Sequence, residues 1–208
     1  FITAPGVGES IWLALKTGLI ATALSLLCCF VILTGLMHDR IFSLFRRMLA
    51  SLVAVPHSAI AIGLVFLLAP SGWLMRILSP GITGFDSPPD WSLVPDPYGW
   101  ALIFGLMAKE IPFLLMVSLA AMATLPARQF EQIASSLGYG RVAAWTTLIL
   151  PLIYRQIRLP VFAVLVFSLS VVDMALLLAP TLPPPMAILV LQGFLDADLA
   201  SRLPASFG

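Results

Sequence analysis

From Ile11 to Met37 a single charged side chain, Lys16, interrupts an otherwise apolar sequence. A helix over such a stretch is long enough to cross a bilayer, which takes ~20 residues. Lys16 falls near the start of the run, where a long side chain can carry its ammonium to the interface. Three further apolar runs follow. One extends from Met48 to Ala69 with Pro56 and His57 inside it, and one from about Gly99 to Met122 with Lys109, Glu110 and Pro112 in its middle. The last covers about Leu159 to Leu178 and is interrupted by Asp173. Prolines are tolerated in such spans because neighbouring helices satisfy the freed carbonyls. Only 10% of the chain is charged, against about 25% in a soluble domain. The expected fold class is an all-α, polytopic membrane helix bundle, one transmembrane domain over residues 1–208.

Between the spans, residues 70–98 read as loop. Trp73–Leu78 allows one short interfacial helix, and Pro88, Pro89, Pro95 and Pro97 forbid a longer one in the remainder. Met186–Leu195 is too short to span and reads as a re-entrant or surface helix after a proline-rich turn. Basic residues in short loops orient the chain. With the first span running inward, Arg40, Arg46, Arg47, Arg128, Arg141, Arg155 and Arg158 fall on the cytoplasmic side. Arg76, Arg202, Asp86, Asp90, Asp96, Asp196 and Asp198 fall on the other. The chain begins at Phe1 with no basic n-region, so it reads as a fragment or processed chain without a signal peptide.

Several function classes are disfavoured by composition. A net charge of +1 argues for no nucleic-acid partner. Cys28 and Cys29, adjacent inside an apolar run, read as buried small hydrophobes. His38 and His57 have no cysteine or carboxylate at ligand spacing, which makes a poor metal site. No Ser–His–Asp set, HExxH or CxxC pair is present, and GxxxxGK[ST] has no match. The chain therefore offers no catalytic, metal or cofactor site, and any ATP would be bound by a partner.

The one long polar-flecked segment is residues 125–151, LPARQFEQIASSLGYGRVAAWTTLILP. Phe130, Ile133, Ala134 and Leu137 recur at i, i+3, i+4 and i+7, an apolar helical stripe, with Arg128, Gln129, Glu131, Gln132, Ser135 and Ser136 on the other face. Pro126 suits the first turn and Gly138 the end, where glycine takes the left-handed conformation of a cap. A second short helix, about Arg141 to Leu150, would run into Pro151. The result is an elbow between the third and fourth spans.

This segment resembles the cytoplasmic loop of ABC-importer permeases, whose pattern is Glu-Ala-Ala, three residues, Gly, then a hydrophobic-Leu-Pro about a dozen residues on. Ala134, Leu137, Gly138, Ile149, Leu150 and Pro151 sit at matching positions. Gln132 stands at the glutamate position and Ile133 at the first alanine, while Glu131 lies one residue early. The resemblance covers about residues 11–200. Its details around Lys109–Phe113, residues 125–138 and Ser170–Pro180 are most similar to permeases of the thiamine, iron(III) and spermidine/putrescine group. It implies the smaller, type I importer fold, with a closing span that would follow residue 208. It also implies an ATPase subunit dimer seated on the elbow, a second permease half, fused or separate, and an extracytoplasmic substrate-binding protein. The membrane would be the bacterial inner membrane, and ATP would be hydrolysed on the ATPase. ATPase-coupling residues would be Glu131, Gln132, Ala134, Leu137, Gly138, Leu150 and Pro151.

Charges inside spans are costly, by ~2.5–3.5 kcal/mol on insertion scales, and should face protein or water. Lys109 and Glu110 project about 100° apart on one helix. With Asp173 they form either a transport pathway or an intramembrane ion pair that holds two helices together. The alternative function is a secondary transporter driven by an ion gradient, with Lys109, Glu110 and Asp173 as its relay.

Overall fold

A computed structural model describes residues 6–36, 40–87 and 94–196. His38, Asp39, Pro88, Pro89, Asp90, Asp198 and Arg202, named above, lie outside the described residues, as do the side chains of Arg40 and Arg128. All regular structure among the described residues is helical: α1 (Val7–Leu36), α2 (Arg40–Ala54), α3 (His57–Leu68), α4 (Trp73–Leu78), α5 (Trp100–Ala123), α6 (Ala127–Ser136), α7 (Arg141–Ala144), a π turn (Trp145–Ile149), α8 (Leu150–Ser170), α9 (Ala175–Leu178) and α10 (Met186–Leu195). Four stretches are long and apolar enough to cross a membrane: Val7–Gly35, His57–Leu78, Trp100–Ala123 and Arg141–Ser170. The fold is all-α and polytopic, with α10 too short to span.

Two boundaries differ from those read in the sequence. The run Met48–Ala69 is not one helix. It breaks at Val55–Pro56, where α2 ends and α3 begins, because proline has no N–H and its ring pushes the preceding residue out of the helical region. The basic stretch before it is the start of α2 and not a connection. The fourth span is Arg141–Ser170, not Leu159–Leu178. Arg155 and Arg158 lie in the first half of α8 on exposed positions, so the helix is longer than the apolar stretch that begins at Leu159. Pro151 does not end it either. The π turn directly before it changes the hydrogen-bond pattern just where the proline ring would crowd a helical carbonyl. The helix stops at Ser170, whose hydroxyl turns back onto the Val166 carbonyl.

The chain folds as two compact units. Residues 22–54 and 109–165 form one of them. Its core is built on the i, i+4 series Trp145, Ile149, Ile153, Ile157 and Val161, with Cys29 and Leu33 from α1, Leu49 from α2, and Leu114 and Leu115 from α5. Ser118 and Cys29 meet within it at 3.6 Å. The other unit comprises residues 1–21, 55–108 and 166–208. There α8 and α9 approach glycines: a Cβ on Gly18 would lie 2.8 Å from Leu169, and one on Gly105 would lie 2.5 Å from Leu178. Small residues at such crossings let helices pack closely in a membrane protein. The His57 and Phe167 rings are 4.7 Å apart in the same unit.

Asp96 fixes where α5 starts. Its Oδ1 accepts the Ala101 N–H at 2.7 Å, and its Oδ2 accepts those of Trp100 at 2.9 Å and Tyr98 at 3.1 Å. The N–H groups of Trp100 and Ala101, in the first turn of α5, have no helical carbonyl to bond, and the helix dipole favours an anion there. Asp96→Ala is expected to destabilise the protein by about 1–2 kcal/mol, and Asp96→Asn, which keeps one acceptor, by less. Thermal unfolding in detergent checks this order.

Candidate functional site

The elbow begins with α6, whose end follows from one glycine. Gly138 has φ +83°, a conformation that side chains with a Cβ rarely adopt. It lets the Gly138 N–H reach the Ser135 carbonyl and the Tyr139 N–H reach that of Ala134, both at 3.0 Å. That pair of bonds is a Schellman cap. Pro126 sits one residue before α6, at its N-cap.

The apolar stripe expected on α6 is only partly used. Phe130 packs on the core of its unit and Ala134 is buried, but Ile133 is 56% exposed and Leu137 70%. Spacing assigned all of them to one face, yet α6 rests on its neighbours along a narrower line. Gln132, Ser135 and Ser136 are also exposed. Tyr139 and Val142 continue the exposed apolar surface past the glycine. Of the other residues that the resemblance implies for coupling, Leu150 is buried and Pro151 exposed.

Glu131 is turned the other way. It is half-buried, and its Oε1 accepts a hydrogen bond from the indole N–H of Trp145. Trp145 is 1% exposed, so its N–H must find a protein partner. Arg141 donates to the Thr34 carbonyl at 3.2 Å, in the last turn of α1, where carbonyls lack helical partners. Trp145 is the residue of this site that the sequence did not single out. The available signal was a tryptophan in a polar-flecked helix, which needs an acceptor, fourteen positions after an acid. An open cavity of about 480 Å³ borders the start of α6, lined by Arg46, Leu119, Met122, Leu125, Pro126 and Gln129 among others.

Lys109 is buried, and its ammonium donates to the carbonyls of Val53 at 2.6 Å and Leu52 at 3.4 Å. In an unbroken helix those carbonyls would accept from residues 56 and 57. Pro56 has no N–H, and α2 has already ended. The lysine therefore closes the C-terminus of α2, where the helix dipole also favours a cation. Glu110 beside it is buried too. Asp173 is exposed and lies in the turn after α8. Cys28 and Cys29 are free thiols, and no cluster of three metal-ligating side chains occurs among the described residues. Lys109→Met leaves two backbone acceptors without their cation. It should lower stability by roughly 1–3 kcal/mol, read as a lower unfolding temperature in detergent, whereas a residue that only met substrate would change uptake and leave that temperature alone.

The chain is 28% identical, over 195 residues and 94% of its length, to the inner membrane ABC transporter permease protein YnjC of Escherichia coli (strain K12). It spans 36% of that relative's length. No protein-family model matches the chain. Similarity that covers nearly the whole chain takes in the helices on both sides of the elbow, as well as the elbow itself.

Proposed function

We propose that the chain forms a permease part of an ATP-driven importer, in which residues 125–151 are the cytoplasmic coupling elbow. The observation that carries this reading is the form of α6. It is a short helix closed by a left-handed glycine between two membrane-crossing helices, with Gln132, Ile133 and Leu137 left uncovered. Similarity to a protein named as an ABC transporter permease supports it independently. So does the excess of arginine on the side that carries the elbow.

On this reading the ATPase is a separate dimeric subunit that binds and hydrolyses ATP. Closure of the dimer displaces each elbow, and the helices continuous with it carry the displacement to the gate. A second permease half, on the same or another chain, completes the pathway, and an extracytoplasmic binding protein delivers substrate. The resemblance favours the thiamine, iron(III) and polyamine group of permeases. A gradient-driven relay through Lys109, Glu110 and Asp173 is less well supported, because Lys109 already closes the end of α2.

The test is co-purification of the full-length protein with its ATPase, followed by uptake in vesicles. Wild type should retain the ATPase and import substrate only with ATP. Gly138→Val puts a β-branched residue at φ +83°, strained by about 1–3 kcal/mol, and should uncouple hydrolysis from uptake. Retention and coupling equal to wild type in that variant would sink the proposal, as would uptake that follows the proton gradient and ignores ATP.

A further inference from the structure

We infer that Glu131 is an internal brace of the elbow, and that the surface the elbow offers a partner is uncharged at this point. The inference rests on the coupling reading above and specifies its chemistry. Glu131 is the only acidic residue of α6, and so the natural candidate for a charged contact with a partner. The structure gives it another task. Its carboxylate takes the N–H of Trp145, a side chain 99% withdrawn from solvent at the first position of the π turn. A buried indole N–H left without an acceptor is unfavourable, and an ionised acceptor makes the bond stronger than a neutral one would.

Geometry explains why a brace is needed. The cap at Gly138 fixes the end of α6, but between Gly138 and Arg141 the chain is non-helical. The linker's Tyr139 N–H belongs to the cap of α6, so the angle to the long helix that follows is left to contacts outside the linker. The bond from Trp145 to Glu131 closes a triangle across the linker. Arg141, on the Thr34 carbonyl, ties the same corner to α1. Displacement applied to α6 is then passed to the helix containing Trp145 and not absorbed by rotation at the glycine.

With Glu131 turned inward, the described side chains of α6 left outward are Gln129, Gln132, Ile133, Ser135 and Ser136, followed by Leu137 and Tyr139; all are neutral, and Ile133, Leu137 and Tyr139 supply the apolar area. A partner that seats on them gains by burying apolar area, which salt does not screen, and not by pairing with a carboxylate, which salt does.

The experiment uses the full-length protein with its ATPase, and compares Glu131→Gln, Glu131→Ala and Trp145→Phe. First, in a background with every other tryptophan replaced by Phe, Trp12, Trp73, Trp91 and Trp100 among them, hydrogen exchange of the Trp145 indole N–H is followed by NMR. Exchange should be slow in the parent and in Glu131→Gln, which keeps an acceptor, and at least about tenfold faster in Glu131→Ala. Second, substrate imported per ATP hydrolysed should fall in Glu131→Ala and in Trp145→Phe to a similar degree, with Glu131→Gln close to wild type. Third, ATPase retention by wild type should hold from ~0.1 to ~1 M salt, over which the Debye length falls from about 10 to about 3 Å. The brace is overturned if Trp145→Phe couples like wild type while Glu131→Gln fails like Glu131→Ala and retention collapses in salt; that pattern makes Glu131 a docking charge. If wild type retains no ATPase, the importer reading fails, and indole exchange still decides the brace: fast exchange in the parent overturns it.

Discussion

In an apolar surrounding, every backbone group released by a helix break has to be met by another protein group. The sharpest case is Pro56. It ends α2 inside an apolar run, and the carbonyls of Leu52 and Val53 would be left facing hydrocarbon or protein without a donor. Lys109 supplies the donors from α5. One interaction thus solves two problems, because the lysine is itself a charge that could not lie bare within a span. The same need recurs at the start of α5, where Asp96 takes the first N–H groups, and at the end of α1, where Arg141 takes the Thr34 carbonyl.

These contacts explain why some of the fold was legible in the sequence and some was not. The apolar runs that became α1 and α5 were found to within a few residues, since hydropathy over ~20 positions is a local property. The elbow was found because its cues are local as well: a helical period, a proline before it and a glycine after it. The limits of the fourth span were missed because Arg155 and Arg158 lower local hydropathy without ending the helix, and Pro151 resembles a stop. The π turn that accommodates it leaves no mark in composition. The role of Lys109 was missed for a different reason. Its partners are 56 and 57 residues away along the chain, and periodicity does not report such distances.

The elbow shows where a helical wheel reaches its limit. Spacing put Ile133 and Leu137 on the buried stripe and Glu131 on the polar face. In the structure Phe130 and Ala134 make the contact, Ile133 and Leu137 are open, and Glu131 turns toward Trp145. A wheel assigns faces by hydrophobicity alone. It cannot weigh one buried indole N–H against the solvation of a carboxylate, though the hydrogen bond to a charged acceptor is worth more than most single apolar contacts.

On the proposed reading, that exchange of faces bears on how the elbow meets a partner. A helix wholly bedded along its apolar stripe would have little apolar surface left to offer, and a partner would have to hold it through charges. A helix that rests on Ala127, Phe130 and Ala134 and is held by a hydrogen bond from behind keeps Ile133 and Leu137 free. Stiffness and availability then come from different residues: Glu131, Trp145 and Gly138 hold the shape, while Ile133, Leu137 and Tyr139 present the surface. Separating the two lets the presented side chains suit one partner without loosening the joint, because the cap uses only backbone atoms of these residues and the brace uses none of them.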